Sequence, residues 1–262
     1  MRLAAAGIDR AGTQLALFER GRRQTPVIGK TIAVGLVDEI SDRHYAIVDG
    51  VDGRVHYAEL GRLRQNEIAA PGMIVSLASD SLYGRPRSVP RLKVLSPVGL
   101  EELPTYDGPT WLDQSLASKR EAHAAVTGFA GQLEAALEQR RRWLAQQGLA
   151  DLGASGNWTP RPTLRESLER RERLRLEQRI SRELKAPHVP ARQGSHVVGV
   201  YDRAIATPTG KIAVIRRDGT FTLAPWTPGL EACKGKAVIG SIGRARVTWS
   251  LDRGRGLARE LP

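Results

Sequence analysis

Alternating apolar and polar positions around two Asp-Gly pairs predict a β-hairpin in the first quarter of the chain. The two arms, residues 44–48 and 54–58, flank the sequence Asp-Gly-Val-Asp-Gly at 49–53. Asp-Gly favours this geometry because it tolerates the positive φ angles of tight turns. We expect the turn to centre on Val51.

A turn centred on Val51 places Tyr45 opposite Tyr57 and Ile47 opposite Val55. Alternate residues of a strand point to the same side of a sheet, so these four side chains share one face. We expect a half-buried hairpin in which that face, with its aromatic pair, points inward. The other face then carries His44, Ala46 and His56.

The middle of the chain has helical periodicity. One stripe with three- and four-residue spacing contains Phe129, Leu133, Ala136, Leu137, Arg140 and Leu144, which predicts a helix that ends at Gly148. A second helix is predicted over about 163–185, where Thr163 and Glu166 have capping-box spacing. The stretch between them reads as a short hairpin, and helix, hairpin and helix together have the outline of a winged-helix wing.

β character returns after Pro190, with five short strands predicted at 196–201, 211–217, 220–224, 237–241 and 247–249. Asp218-Gly219 has the sequence of a two-residue hairpin turn. That turn opposes Arg216 to Phe221 and Val214 to Leu223, and it places Ile212, Val214, Phe221 and Leu223 on one core face. So many short strands in one segment predict a second small barrel.

The predicted fold class is therefore α+β, with two small β-barrel-like modules of the SH3 or OB type flanking a helical, winged-helix-like module. We expect the modules to span 1–98, 99–190 and 191–262. Residues 80–110 are rich in proline and read as a linker or extended connection, with one strand at Leu92–Leu95.

Charge points to a polyanionic partner. The 262 residues include 40 Lys and Arg against 28 Asp and Glu, a net charge of +12, and neutralising phosphates releases condensed counterions. Two other readings stay open: a basic protein whose arginines reflect codon usage, and a docking module for an acidic protein. The candidate nucleic-acid-binding residues are Arg85, Arg87, Arg91, Arg140, Arg141, Arg142, Arg171, Arg175, Arg244, Arg246, Arg253 and Arg255.

Cysteine content and hydropathy indicate the compartment. The single cysteine, Cys233, excludes an internal disulfide framework and fits a reducing cytoplasm. No stretch approaches the ~20 apolar residues that a membrane span needs. We expect a cytoplasmic protein without membrane insertion.

Four segments resemble the C-terminal region of conjugal-transfer relaxases, the plasmid mobilisation nucleases of the RlxS-like type. They are GLVDEISDRHYAIVDGVDGRVHY at 35–57, RLKVLSPVGLEELPTYDGPTWLD at 91–113, FTLAPWTPGLEACKGKAVIG at 221–240 and TWSLDRGRGLA at 248–258. The resemblance implies a region whose chemistry belongs to a separate N-terminal nuclease domain. In those relaxases the opening region continues a preceding helix, so we expect Met1 to begin inside a unit that is longer elsewhere.

The chain lacks the residues of a nicking centre, which needs a nucleophilic tyrosine and a metal held by a histidine cluster. None of its five histidines, His44, His56, His123, His188 and His196, is two residues from another. We therefore expect no catalytic residue, no metal and no cofactor. The weakest alternative is an enzyme that uses the face carrying His44 and His56.

The sequence thus predicts a non-catalytic DNA-binding or scaffold region of a conjugative relaxase, or an orphan relative of one. Its partner would be single- or double-stranded DNA near an origin of transfer. The alternative is a protein-interaction module that docks on relaxosome or secretion-channel components.

Overall fold

The computed structural model describes residues 14–18, 25–38, 40–63, 68–82, 85–118, 128–153, 157–192, 194–243 and 247–251. For residues 14, 80–82 and 85–89 it describes the backbone alone. The fold is mixed α+β. It forms two compact units, and the boundary between them in sequence falls between Leu168 and Glu169. The opening region at 1–13, which the resemblance relates to the end of a longer helix, lies outside the described residues.

The first unit contains a six-stranded sheet in the order β1-β4-β3-β2-β5-β6. Strand β1 runs parallel to β4, and the other neighbouring pairs are antiparallel. Within the described residues the sheet stays open, with β1 and β6 as its edges, so a closed barrel is not found here. The strands are β1 Gln14–Leu17, β2 Val27–Asp38, β3 Arg43–Gly50, β4 Arg54–Glu59, β5 Ile74–Leu82 and β6 Arg85–Ser96.

The predicted hairpin forms between β3 and β4, but its register differs by two residues from the prediction. Tyr45 lies opposite Glu59 and Ile47 opposite Tyr57, because β3 continues through Asp49 and Gly50 before the chain turns. A shift of two residues preserves the faces. Tyr45 and Tyr57 therefore still share one side, where their rings stack with centroids 5.6 Å apart.

Both faces of this sheet are packed, and the histidine face is the more buried of the two. On that face His44 and His56 lie beside a core that contains Ala46, Val48 and Ala58. The tyrosine side is only half-buried at Tyr45 and Tyr57. The expectation that the tyrosine face alone points inward is therefore wrong.

Within the proline-rich stretch, residues 85–96 form an edge strand and not a linker, whereas residues 97–110 are turns that connect it to the next helix. Strand β6 pairs with β5 through most of residues 85–96, with Ser79 opposite Pro90 and Ser81 opposite Pro86. An edge strand tolerates proline because its outward N–H groups need no partner in the sheet. The predicted strand at Leu92–Leu95 is thus the end of a longer one.

The described part of the middle segment has three helices, of which the second and third follow the predicted pattern and the first was not predicted. They are α1 Trp111–Ala117, α2 Gly128–Gln146 and α3 Leu164–Leu184, and the short hairpin of β7 Ala150–Leu152 and β8 Trp158–Pro160 lies between α2 and α3. Gly148 has φ +67°. The N–H of Leu149 bonds to the carbonyl of Leu144, and that of Gly148 to Ala145. This is the Schellman motif expected at a helix end closed by glycine.

The helical segment shares a core with the first sheet. Ile28 and Ile74 from the sheet join a cluster that includes Leu112 of α1, Phe129 of α2 and Leu168 of α3. Three separate modules were expected, but burying the apolar stripe of α2 requires a surface that the sheet supplies. The first unit consequently runs to Leu168.

The second unit is a five-stranded sheet in the order β11-β10-β9-β12-β13. The hairpin of β10 and β11 has the predicted register, with Arg216 opposite Phe221 and Val214 opposite Leu223. The described strands of this sheet also remain open. They are β9 His196–Thr207, β10 Gly210–Arg217, β11 Thr220–Pro225, β12 Ala237–Ile242 and β13 Val247–Leu251.

Each face of the second sheet packs against a different helix. The part of α3 from Leu176 to Leu184 packs on Ile205, Val214 and Phe221, which confirms the predicted core face. The opposite face packs against a 3-10 helix, Pro228–Cys233, through Leu230. No helix in the described part of the chain is both long and apolar enough to cross a membrane.

Candidate nucleic-acid interface

Arg140, one of the predicted phosphate-binding residues, is fully buried in the first unit, with 0% exposure. Its guanidinium makes two bonds to the carboxylate of Asp113, at 2.8 and 2.9 Å. It also donates to the carbonyls of Tyr106 at 2.7 Å and Gly108 at 2.8 Å. A buried group whose donors are all engaged cannot reach a phosphate, so the prediction for Arg140 is wrong.

Asp113 explains why this arginine is buried. Its Oδ2 accepts bonds from the backbone N–H and the hydroxyl of Thr110, which cap the start of α1. Arg140 therefore fastens α2 to the start of α1 and to the loop before it. A buried ion pair needs such additional hydrogen bonds to compensate its desolvation.

The other predicted arginines fall into three groups. Arg141 and Arg142 on α2 pair with Glu138 at 3.3 and 2.9 Å. Arg91 is exposed on β6, and the half-buried Arg171 and Arg175 lie on α3; each of these three takes part in a contact. For Arg85 and Arg87 only the backbone is described, whereas Arg244, Arg246, Arg253 and Arg255 lie outside the described residues.

A different set of cations converges on a groove in the second unit, which we call the basic groove. It has a volume of about 560 Å³. The groove forms because α3 ends at Leu184, so the same sheet face continues uncovered past Val214 to Arg216. Its lining residues are Leu184, Lys185, Ala186, Val200, Tyr201, Asp202, Arg216, Arg217, Asp218, Gly219, Thr220, Lys234 and Gly235.

Three left-handed turns position the cations of the basic groove. Lys185 itself has φ +50° where it ends α3. Arg217 precedes the turn of Asp218 and Gly219, with φ +46° and +72°, and Lys234 precedes Gly235, with φ +75°. A tight turn holds the backbone beside it in one conformation. The Cα atoms of these cations are therefore fixed, and only their side chains can move.

The electrostatic balance of the groove is positive. Four cations, Lys185, Arg216, Arg217 and Lys234, face two carboxylates. Arg217 lies 3.1 Å from Asp218, and Arg216 is 3.8 Å from Asp202. In the described part of the chain no carboxylate pairs with either lysine. The groove therefore keeps cationic capacity for an anionic ligand.

The floor of the groove is apolar and neutral. Val200 on β9 is 42% exposed and lies directly opposite Arg216 on β10. Tyr201 itself is only 1% exposed, and its phenol lies in the core on the other face of the sheet, where it accepts a bond from the indole N–H of Trp226 at 3.2 Å. Burial raises the pKa of Tyr201, so the phenol adds no negative charge.

Sequence reasoning did not single out the four groove cations, because they come from separate parts of the chain. The sequence nevertheless contains a feature that could have indicated this groove. Two of them stand directly before a glycine turn, in Arg217-Asp218-Gly219 and Lys234-Gly235. Cations that recur at turn signals in one module are candidates for a shared surface.

A second, smaller pocket of about 490 Å³ adjoins His188, which is half-buried in the second unit. The imidazole Nδ1 lies 3.2 Å from Glu177 Oε1, and the ring packs on Phe221 with centroids 5.1 Å apart. The Nε2 atom is buried without a hydrogen-bond partner. Burial lowers the pKa of His188; Arg173 lowers it further, and Glu177 opposes both effects.

On the histidine face of the first sheet the two described histidines have separate surroundings. His56 Nε2 lies 3.0 Å from both carboxylate oxygens of Asp52, a turn residue. His44 bonds through its backbone to Leu60, whereas His56 lies opposite Val48, so the two rings belong to different parts of the hairpin. Among the described side chains no group of three or more His, Cys, Asp or Glu could hold a metal.

Comparison with known proteins identifies a family without assigning a function. No curated protein matches the chain, and no solved structure does. The profile of one family, described as "Protein of unknown function (DUF3363)", matches residues 2–89 and 82–258. Because these two matches cover nearly the whole sequence, the chain belongs to the DUF3363 family of proteins of unknown function.

Proposed function

We propose that this chain is a non-catalytic DNA-binding and scaffold region that supports the processing and transfer of plasmid or other mobile DNA. The observation that carries the proposal is the basic groove, in which four cations outnumber two carboxylates. The groove concentrates positive charge on one face of a chain with net charge +12.

The groove has the features of a phosphate site. Arg216 and Arg217 keep more than half of their side-chain surface exposed, at 56% and 53%. A guanidinium can bond two oxygens of one phosphate, and a lysine acts as a point charge beside it. Each phosphate neutralised releases counterions, which makes binding favourable at low salt.

The link to conjugation rests on the resemblance of four segments to the C-terminal region of relaxases. Under that proposal the chain would hold DNA near an origin of transfer. The order of α2, the β7–β8 hairpin and α3 fits a winged-helix-like element, which we include in the proposal as a secondary contact.

Fluorescence anisotropy of labelled DNA, titrated with the full chain at several salt concentrations, tests the proposal. If the four groove cations contact phosphates, the slope of log affinity against log salt is about −2.8 for a single strand or about −3.6 for a duplex. Further contacts make it steeper. Absence of binding at low salt, or an affinity that does not respond to salt, contradicts a nucleic-acid function.

A second candidate function is docking on relaxosome or secretion-channel proteins, and one turn favours it. Between β2 and β3 the side chain of Ile40 is 97% exposed. The turn that presents it is fixed, because Asp38 accepts bonds from the Ile40 N–H at 3.0 Å and the Ser41 hydroxyl at 2.5 Å. A preorganised apolar side chain is a suitable anchor for a protein pocket.

Nuclease treatment separates the two functions. A complex with a relaxosome or channel protein that survives nuclease and is lost in Ile40→Ser supports docking. A complex that disappears with nuclease and is unchanged by Ile40→Ser is bridged by DNA, and that result favours the first function.

A further inference from the structure

We propose that the basic groove takes a single strand of nucleic acid, with a base or sugar on Val200 and the adjoining phosphates on the surrounding cations. This inference rests on the proposed DNA-binding function and specifies its substrate. It follows from the shape and the floor of the groove, which the total charge of the chain does not determine.

The groove is a concavity of limited size. Its volume of about 560 Å³ lies within the range of about 300–1,000 Å³ for pockets that enclose small organic ligands, so it suits a segment of one strand. A duplex keeps its bases stacked inside and presents phosphates on a convex surface. It can touch the rim of such a concavity but cannot place a base inside it.

The floor of the groove offers an apolar contact that only an unpaired strand can use. Val200 is 42% exposed at the place where α3 no longer covers the sheet. Gly199 beside it allows close packing, because a Cβ there would lie 2.4 Å from the Arg216 carbonyl oxygen. The bulge at Asp202, where the β9–β10 register shifts, further changes the direction of the lining side chains.

The cations are arranged around this apolar contact. Arg216 lies directly opposite Val200 in the sheet, so a sugar or base on Val200 brings its own phosphate to that guanidinium. Lys185, Arg217 and Lys234 line the same groove and can accept neighbouring phosphates. Proteins that hold single strands without reading their sequence combine a cationic groove with a surface that contacts the bases, most often an aromatic one; here the exposed Val200 supplies an aliphatic contact of the same kind.

Two substitutions at equally exposed valines test the inference in the full chain. Val200→Glu places a negative charge on the groove floor. Val189→Glu adds the same charge at a valine that is 47% exposed and does not line the groove. The probes are a labelled oligothymidylate of about 20 nucleotides and a duplex of the same length. Circular dichroism melting of both variants checks that the fold is retained.

The expected result has two parts. The wild-type chain binds the single strand at least about tenfold more tightly than the duplex. Val200→Glu weakens single-strand binding about tenfold or more, and Val189→Glu changes it by less than about twofold. The comparison of strand and duplex uses the unaltered chain, so it does not depend on how either variant folds.

The experiment distinguishes failure of the single-strand assignment from failure of the proposed DNA-binding function. Equal or tighter binding of the duplex, or equal effects of the two glutamates, overturns the single-strand assignment and leaves DNA binding in place. Failure to bind either form at low salt overturns the proposed function together with this inference.

Discussion

Arg140 and Arg217 carry the same guanidinium in opposite surroundings. Arg140 has 0% exposure and is bonded to Asp113 and to backbone carbonyls. Arg217 is 53% exposed at the edge of the basic groove. Both arginines contribute equally to the net charge, although only Arg217 is available to a ligand.

The sequence did contain a sign of the burial of Arg140. This residue continues the apolar stripe of α2, between Leu137 and Leu144. An arginine within such a stripe is expected to be buried with a partner. The partner, Asp113, is 27 residues away, and periodicity alone cannot identify it.

Replacement of Arg140 by methionine should destabilise the first unit. The change leaves the largely buried carboxylate of Asp113, 13% exposed, without its counter-ion, which costs up to about 3–5 kcal/mol. Urea unfolding followed by tryptophan fluorescence measures the loss. Arg142→Met, at a side chain that is 66% exposed, is the matched control and should change stability by less than about 0.5 kcal/mol. Similar stabilities for the two variants would show that the buried pair is not essential to the fold.

At the scale of elements, turn chemistry decided which predictions succeeded. The two-residue turn of Asp218 and Gly219 permits one register, and the β10–β11 hairpin has it. The segment 49–53 contains Asp-Gly twice and permits more than one turn, so the β3–β4 register differed by two residues. The prolines of β6 suggested a linker because the position of a strand at the edge of a sheet cannot be read from its own residues.

We expect the packing of His188 on Phe221 of β11 to depend on pH. Burial lowers the pKa of His188 from the usual 6.5, so the unfolded chain takes up the proton at a higher pH than the folded one. The contribution to stability is complete above about pH 6.5 and is lost as pH falls toward the folded pKa.

Denaturant unfolding at pH 7.5 and pH 5.5 measures this loss. We expect the second unit of the wild-type chain to be less stable at the lower pH. His188→Phe keeps an aromatic ring on Phe221 but removes the titrating group, so part of the pH dependence should disappear. An identical pH dependence in both proteins would exclude His188 as its source.

At the scale of the whole molecule, sequence reasoning identified the α+β class and the two long helices, α2 and α3, but not α1. It did not foresee that the helical segment shares a core with the first sheet, since that core draws on residues as far apart in sequence as Ile28 and Leu168. The basic groove was missed for the same reason. Its residues come from 184–186, 200–202, 216–220 and 234–235, and only the fold brings them together.

The most direct test of the central claim compares two triple variants of equal charge. Arg216→Gln, Arg217→Gln and Lys234→Gln together remove three cations from the basic groove. Arg54→Gln, Arg62→Gln and Lys93→Gln remove three exposed cations from the first unit. The measurement is the salt dependence of single-stranded DNA binding by anisotropy.

The groove variant should bind more weakly, and its slope should be less steep than that of the wild type by about 2.1, which is three times 0.7. The first-unit variant should keep the wild-type slope. Equal changes in both variants would mean that DNA responds only to total charge, and that result would contradict the assignment of the basic groove as the binding site.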